Sequence, residues 1–114
     1  MDNQPTRGGS RYGYFAGRKL LVDQEGFLWN PEDWSKEIAE AIAREQGLEE
    51  LQGKHWKVIN YMRKFYFENG RAPLNRQLAK DTKISMLEIE ALFPGGIKYG
   101  ARRIAGLPNP KACL

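Results

Sequence analysis

The sequence predicts an α+β fold, in which a small N-terminal β-hairpin or meander packs on an array of four to five helices and a flexible C-terminal arm follows. Three observations support this prediction. Two short apolar runs surround a turn-forming segment at residues 23–26, a pattern typical of a hairpin. Apolar residues then recur at helical spacing over residues 34–93. Finally, Pro108 and Pro110 prevent a helix from forming across the last ten residues.

The predicted strands lie near the N-terminus. Residues 19–22 and 27–29 are apolar runs, and the four residues between them end in Gly26, so a hairpin is predicted over this stretch. An earlier turn at Ala16-Gly17 would add a strand from residues 14–15.

The first helix is predicted from start and stop signals. Asn30 is a good N-cap, Pro31 suits the first helical position, and acidic residues follow in the first turn. Gly47 is expected to end this helix.

Similar signals delimit the later helices. A second helix is predicted over residues 54–69, with Gly70 as its stop, and Pro73 opens a short third one. Ser85 begins a capping box for a fourth helix, which ends before Pro94.

These elements predict one domain with two mobile ends. Residues 1–13 are rich in Gly, Ser, Arg and Asn and are expected to form a disordered tail, residues 14–104 the domain, and residues 105–114 a mobile arm. In a polyproline-like conformation of about 3.1 Å per residue, the arm from Gly106 to the cysteine would reach roughly 20 Å. Three glycines are expected to act as hinges for this arm: Gly95, Gly96 and Gly106.

Composition excludes several functional classes. The 114 residues contain one cysteine and one histidine, too few for a zinc finger, a zinc ribbon or an internal disulfide, and we expect no metal or cofactor. His55 is therefore interpreted as structural. The sequence has no apolar run of about 18 residues, so no membrane helix is expected. The N-terminus lacks the pattern of a signal peptide, and a cytoplasmic location is the expectation.

Charge is unevenly distributed along the chain. The net charge is +3 over residues 1–19, −7 over residues 20–50 and +8 over residues 51–114. A basic surface can bind nucleic acid or an acidic protein. A helix-turn-helix could lie within residues 74–93, but Glu88 and Glu90 would then face phosphates. Two packed core helices are the favoured interpretation, and direct nucleic-acid binding is not expected.

Cys113 is the outstanding candidate for chemistry, because it is the only thiol and lies beside the C-terminus. A thiolate there could act as a nucleophile. A buried structural cysteine and an incidental terminal cysteine are the alternatives. Chain ends are usually exposed, which argues against burial.

The motifs in the last quarter of the chain resemble those of one family. Leu92-Phe93-Pro94-Gly95-Gly96, then Ala101, then Ile104-Ala105-Gly106-Leu107-Pro108-Asn109-Pro110 and the penultimate Cys113 are similar to the DsrC/TusE family. That family contains the small subunit-like protein of dissimilatory sulfite reductase and its tRNA-thiolation relative. The likeness covers residues 14–114, and it includes Asp33-Trp34, His55-Trp56 and Asn69-Gly70-Arg71-Ala72-Pro73.

The resemblance implies a sulfur carrier whose penultimate cysteine, Cys113, accepts sulfane sulfur as a persulfide. The implied partners are a sulfur-donor protein of a relay and, as acceptor, a tRNA 2-thiouridylase or a sulfite-reductase-type complex. Four basic residues would guide the arm or stabilise the anionic persulfide: Lys98, Arg102, Arg103 and Lys111.

Departures from the family pattern narrow this expectation. Arg102 stands where DsrC proper has a second cysteine, so this chain cannot close an internal disulfide and resembles the single-cysteine TusE type. Ile97 and Tyr99 replace the Pro and Lys that similar relatives tend to have. The alternatives are a regulatory or nucleic-acid-binding protein with Cys113 as redox sensor, and a non-catalytic subunit of a sulfite reductase complex.

Overall fold

The structure, a computed structural model, describes residues 9–109 and confirms the α+β fold. Strands β1 (Ser10–Phe15) and β2 (Arg18–Asp23) pair antiparallel. Ala16 and Gly17 connect them with φ values of 51° and 79°, the left-handed pair that a tight two-residue hairpin turn requires.

The hairpin corrects two predictions. Residues 10–13 were predicted to belong to a disordered tail, but β1 begins at Ser10. These residues pair with β2, and the backbone groups of the two strands form hydrogen bonds with each other. The main hairpin also lies one turn earlier than predicted. The apolar run at residues 27–29 adds only a single bridge, between Val22 and Leu28. This ladder stops after Trp29 donates to the Leu21 carbonyl, because Pro31 has no N–H to extend it.

The start of the first helix also differs from the prediction. Pro31–Asp33 forms one 3₁₀ turn, Trp34 is extended, and α1 runs over Lys36–Glu45. Ser35 is the actual N-cap, and its Oγ accepts from the Ile38 N–H at 3.3 Å. The predicted stop is confirmed, since Gly47 adopts φ +92° immediately after the last turn.

The later helices follow their capping signals. α2 covers Gly53–Asn69 and ends at Gly70, which adopts φ +77°. α3 covers Asn75–Thr82, and α4 covers Met86–Leu92, where the Ser85 Oγ accepts from the Glu88 N–H at 3.1 Å. A π-helical segment, Gly96–Arg102, follows.

One apolar core joins these elements. The inward face of the hairpin, α1, α2, α4 and the π-helical segment all contribute to it, and its largest fully buried members include Phe27, Phe93, Ile38, Ile59 and Leu107. No helix within residues 9–109 combines the length and the apolar character needed to cross a bilayer.

His55 is structural, as the sequence indicated. Its Nδ1 accepts from the Gln52 N–H at 2.9 Å, and its Nε2 lies 2.8 Å from the Leu92 carbonyl. The ring therefore carries its proton on Nε2 and joins the start of α2 to the end of α4. Phe93 packs edge-on against it at 5.1 Å.

Candidate functional site

The base of the C-terminal arm is held by two side chains from distant parts of the sequence. Trp34 Nε1 donates to the Ile104 carbonyl at 2.8 Å, and Arg63 Nη1 donates to the Ala105 carbonyl at 2.8 Å. The Arg63 guanidinium also lies over the Trp34 ring, 4.1 Å from its centroid. Trp34 and Arg63 thus form a clamp that fixes where the arm leaves the domain.

Arg63 is half-buried, and its guanidinium group donates hydrogen bonds to carbonyl oxygens. Its Nη2 donates to the Pro31 carbonyl at 3.2 Å, so one guanidinium joins the start of the α1 region to the arm. Burial lowers the pKa of Arg63, and the nearby Glu32 opposes that shift. An arginine remains cationic under such conditions, so the clamp is charged across the physiological pH range.

Gly106 is the point of closest approach in the clamp. It adopts φ +71°, and a Cβ there would lie 2.3 Å from Trp34 Cδ1. Only glycine fits a left-handed position against a rigid ring.

The first half of the predicted arm is packed rather than detached. Ala105, Gly106 and Leu107 are buried, and Leu107 is only 1% exposed. The prediction placed the start of a mobile arm at residue 105, but these apolar residues complete the core instead. Lys111 and Cys113 lie outside the described residues.

Asn109 is the last described residue, and it is bound to an acidic turn. Its Nδ2 donates to Asp23 Oδ2 at 2.9 Å and to Glu25 Oε1 at 2.6 Å, and only 8% of the residue is exposed. Asp23 is itself fixed, because its Oδ1 accepts from the N–H groups of Glu25 and Phe27, both at 2.9 Å. Asp23, Glu25 and Asn109 are called the anchor below.

The structure describes three of the four predicted basic residues, and one of them lies against this acidic turn. The Arg103 guanidinium packs over Gly26, where an added Cβ would lie 2.9 Å from Nη2. Lys98 Nζ sits 4.8 Å above the ring of Tyr99, and that ring contacts Phe27. Arg102, the third, ends the π-helical segment, and its carbonyl accepts from the Leu107 N–H at 3.2 Å. Its backbone therefore helps to fix the arm.

Gly95 and Gly96 lie in a tight turn before the π-helical segment. A Cβ at Gly95 would lie 2.9 Å from the Gly100 nitrogen, and Gly96 has φ +75°. The structure thus gives both residues a packing role, while their hinge function remains a prediction.

Sequence reasoning missed the clamp and the anchor. Trp34 and Asn109 enter the sequence analysis only as parts of family motifs, without a role of their own, and Arg63 is not mentioned there. No local signal identifies these contacts, because the hydrogen-bonded partners are 32 to 86 residues apart in the sequence. Within residues 9–109 no three His, Cys, Asp or Glu side chains converge as metal ligands do.

Comparisons with known proteins agree on one group. A family model described as DsrC like protein matches residues 14–114. The chain is 36% identical over 100 residues to the dissimilatory-type sulfite reductase gamma subunit of Nitratidesulfovibrio vulgaris, covering 88% of this chain and 95% of that protein. Sulfurtransferase TusE of Salmonella choleraesuis is 36% identical over 107 residues, covering 88% and 97%. The crystal structure of the oxidized gamma subunit DsrC from Archaeoglobus fulgidus superposes with a TM-score of 0.80 at 38% identity, covering 91% and 100%.

Proposed function

The chain belongs to the DsrC-like family, and from this premise we propose that it is a single-cysteine sulfur carrier. Cys113 accepts sulfane sulfur from a donor protein and passes it to an acceptor. The observation that carries the proposal is that the family match extends through residue 114 and so includes the only cysteine of the chain. The relatives named as sulfurtransferase and as a sulfite reductase subunit support a place in sulfur transfer.

The transfer needs no external oxidant or reductant. The Cys113 thiolate attacks the outer sulfur of a donor persulfide, a new S–S bond forms on Cys113, and the donor cysteine leaves as a thiolate. In the second step a nucleophile of the acceptor attacks the outer sulfur, and Cys113 leaves as a thiolate. One neutral sulfur atom moves in each step, and the carrier ends unchanged.

The lone thiol restricts what this carrier can do. Release of a bound sulfur by closing a disulfide needs a second cysteine, and Arg102 occupies the position of the second family cysteine. Both transfers are therefore intermolecular, which favours a TusE-like relay over reductive turnover. We propose a tRNA 2-thiouridylase as the acceptor, with a sulfite-reductase-type complex as the second candidate, in the cytoplasm.

The basic residues are assigned a supporting role. Lys98, Arg102, Arg103 and Lys111 stabilise the persulfide anion or guide the segment that carries it. Positive groups near a thiolate favour the charged form, which is also the reactive one.

Intact-mass spectrometry after exposure to polysulfide tests the proposal. The expected result is a gain of one sulfur atom that reductant removes and that Cys113→Ser does not show. A thiol that alkylates readily but never gains sulfur would sink the carrier function. Cys113→Ser that still supports full activity of an acceptor complex would instead indicate a non-catalytic subunit.

A further inference from the structure

The outward face of the β1–β2 hairpin carries two exposed tyrosines that take no part in the core. Tyr12 is 60% exposed and Tyr14 is 69% exposed. They lie two residues apart on β1, so they share one face of the hairpin, opposite the face on which Phe15 is buried. A single exposed apolar side chain is ordinary, but two neighbouring rings on one uncovered face form a patch of the kind that binds a partner.

We infer that this face binds an unpaired strand of RNA, with Tyr12 and Tyr14 stacking on its bases and Lys19 contacting its phosphates. The inference deepens the proposed function and rests on it for the choice of RNA, because the acceptor proposed above acts on RNA. It concerns the hairpin, whereas the expectation against nucleic-acid binding concerned the acidic residues of α4.

The spacing of the two tyrosines suits nucleic-acid bases. Residues two apart along an antiparallel strand are separated by about 6.8 Å. Successive bases of a strand are about 3.4 Å apart, so the tyrosines are separated by the two stacking steps that one base needs between two rings. Every base has a π face, and such a platform therefore accepts an unpaired strand of any sequence.

The charge of the hairpin complements a phosphate backbone. Residues 10–22 include no acidic residue and three basic ones, Arg11, Arg18 and Lys19. Lys19 lies opposite Tyr14 in the strand register, and its Nζ lies 4.7 Å from the centroid of the Tyr12 ring. A cation thus stands beside the ring on which a base would stack. The two arginines alternate to the other face, but both are exposed and add to the positive potential.

The size of the face favours RNA over an acidic protein. A six-residue strand is about 20 Å long, and two strands about 5 Å apart offer a face of about 200 Å². A stable protein–protein interface needs about 800 Å² from each partner. A few unpaired nucleotides fit the smaller area, because stacking alone contributes substantially for each base.

Fluorescence anisotropy of a short, fluorescein-labelled single-stranded RNA measures binding to the full chain at low salt. Tyr12→Leu and Tyr14→Leu keep an apolar side chain but remove the aromatic face, and each is expected to weaken binding by about 5-fold to 100-fold. Tyr12→Phe and Tyr14→Phe keep the ring and are expected to bind nearly as well as the unsubstituted protein. Phe67→Leu is the matched control, because it removes a ring that is 51% exposed on α2, and it is expected to leave binding unchanged.

The salt dependence of binding tests the phosphate contact. Lys19→Gln is expected to reduce the slope of log affinity against log salt concentration by about 0.7. Lys57→Gln removes the same charge from an exposed position on α2 and is expected to leave the slope unchanged. Each titration is made well below the Tm of the least stable variant, so that loss of a cross-strand pair in the hairpin does not imitate loss of binding.

Several results would overturn the inference. One is the absence of RNA binding at low salt, and another is affinity of the leucine variants equal to that of Phe67→Leu. Equal affinity for a duplex RNA of the same sequence would show that unpaired bases are not recognised. Displacement of the RNA by polyglutamate as effectively as by unlabelled single strand would show that charge alone binds, as expected for an acidic protein partner.

These outcomes are distinguishable from failure of the proposed function, because sulfur uptake by the unsubstituted protein is measured separately. A chain that gains sulfur from polysulfide but binds no RNA overturns this inference and leaves the carrier function intact. A chain that binds RNA through the two tyrosines but never gains sulfur contradicts the carrier function and leaves the binding result intact.

Discussion

Replacing Gly106 with alanine tests whether the clamp is a rigid fit. The added methyl would lie 2.3 Å from Trp34 Cδ1 and 2.8 Å from Cγ, atoms of a ring that is itself hydrogen-bonded to the Ile104 carbonyl. Overpacking of this kind costs about 1–3 kcal/mol. The left-handed backbone at φ +71° adds about 1–2 kcal/mol for any residue with a Cβ. We therefore expect Gly106→Ala to lower the free energy of unfolding by about 2–5 kcal/mol.

Gly70→Ala is the matched control for this substitution. Gly70 has nearly the same φ, +77°, but an added Cβ there would meet no atom within 4 Å. Its cost is the backbone strain alone, about 1–2 kcal/mol. The difference between the two variants isolates the collision with Trp34.

Urea unfolding followed by far-ultraviolet circular dichroism measures both variants. At the size of this domain, about 1 kcal/mol corresponds to about 4 °C in Tm, so Gly106→Ala is expected to melt about 8–20 °C lower. Adding Trp34→Ala should remove the collision, and Gly106→Ala should then cost no more than Gly70→Ala. If Gly106→Ala is as mild as Gly70→Ala in the intact protein, the ring yields and the clamp is not rigid.

Three further predictions concern single contacts. Arg63→Met leaves the carbonyls of Pro31 and Ala105 without their donors and should lower the free energy of unfolding in urea by about 1.5–3 kcal/mol. Lys64→Met, the control at an exposed site, should lower it by less than about 1 kcal/mol. His55→Leu leaves two partly buried backbone groups without their side-chain partner and should cost about 1–3 kcal/mol, and a value near zero would show that water replaces the ring. Burial and the hydrogen bond to Asp81 raise the pKa of Tyr61 to about 12. The free energy of unfolding should therefore fall as pH rises from about 10 to about 12, because the unfolded chain loses this proton first. Tyr61→Phe should flatten that fall when unfolding is measured across this pH range.

Capping signals in the sequence predicted the helix ends correctly where the cap residue needs no partner from a distant part of the chain. Ser85 and Gly70 mark α4 and α2 as expected, because each satisfies backbone groups within its own turn. The Asn30-Pro31 signal failed at the first helix. There Trp34 is extended and reaches the Ile104 carbonyl, 70 residues away, and α1 begins only after Ser35. A tertiary bond overrode a good local start.

The candidate site also has one part that the local sequence predicts and another part that it does not. The local sequence of the terminal motif, which includes Cys113, was sufficient to identify the family, and the family match confirms that identification. The contacts that hold the segment before Cys113 were not predictable, because Arg63 sits on a helix whose pattern reveals only an apolar stripe. Asn109 likewise binds residues 84 and 86 positions away. Pairing over such separations depends on the whole fold rather than on spacing.

These long separations also order events during protein synthesis. The bonds from Trp34 and Asp23 to the arm close loops of 70 and 86 residues, so neither can form until synthesis has passed Ile104 and Asn109, respectively. Until the arm has been synthesised, the Trp34 indole N–H and the Asp23 carboxylate lack their partners in the arm and face solvent. Only a chain whose N-terminal third has already folded offers the arm a place to bind. Attachment of the arm thus reports that the rest of the domain is complete.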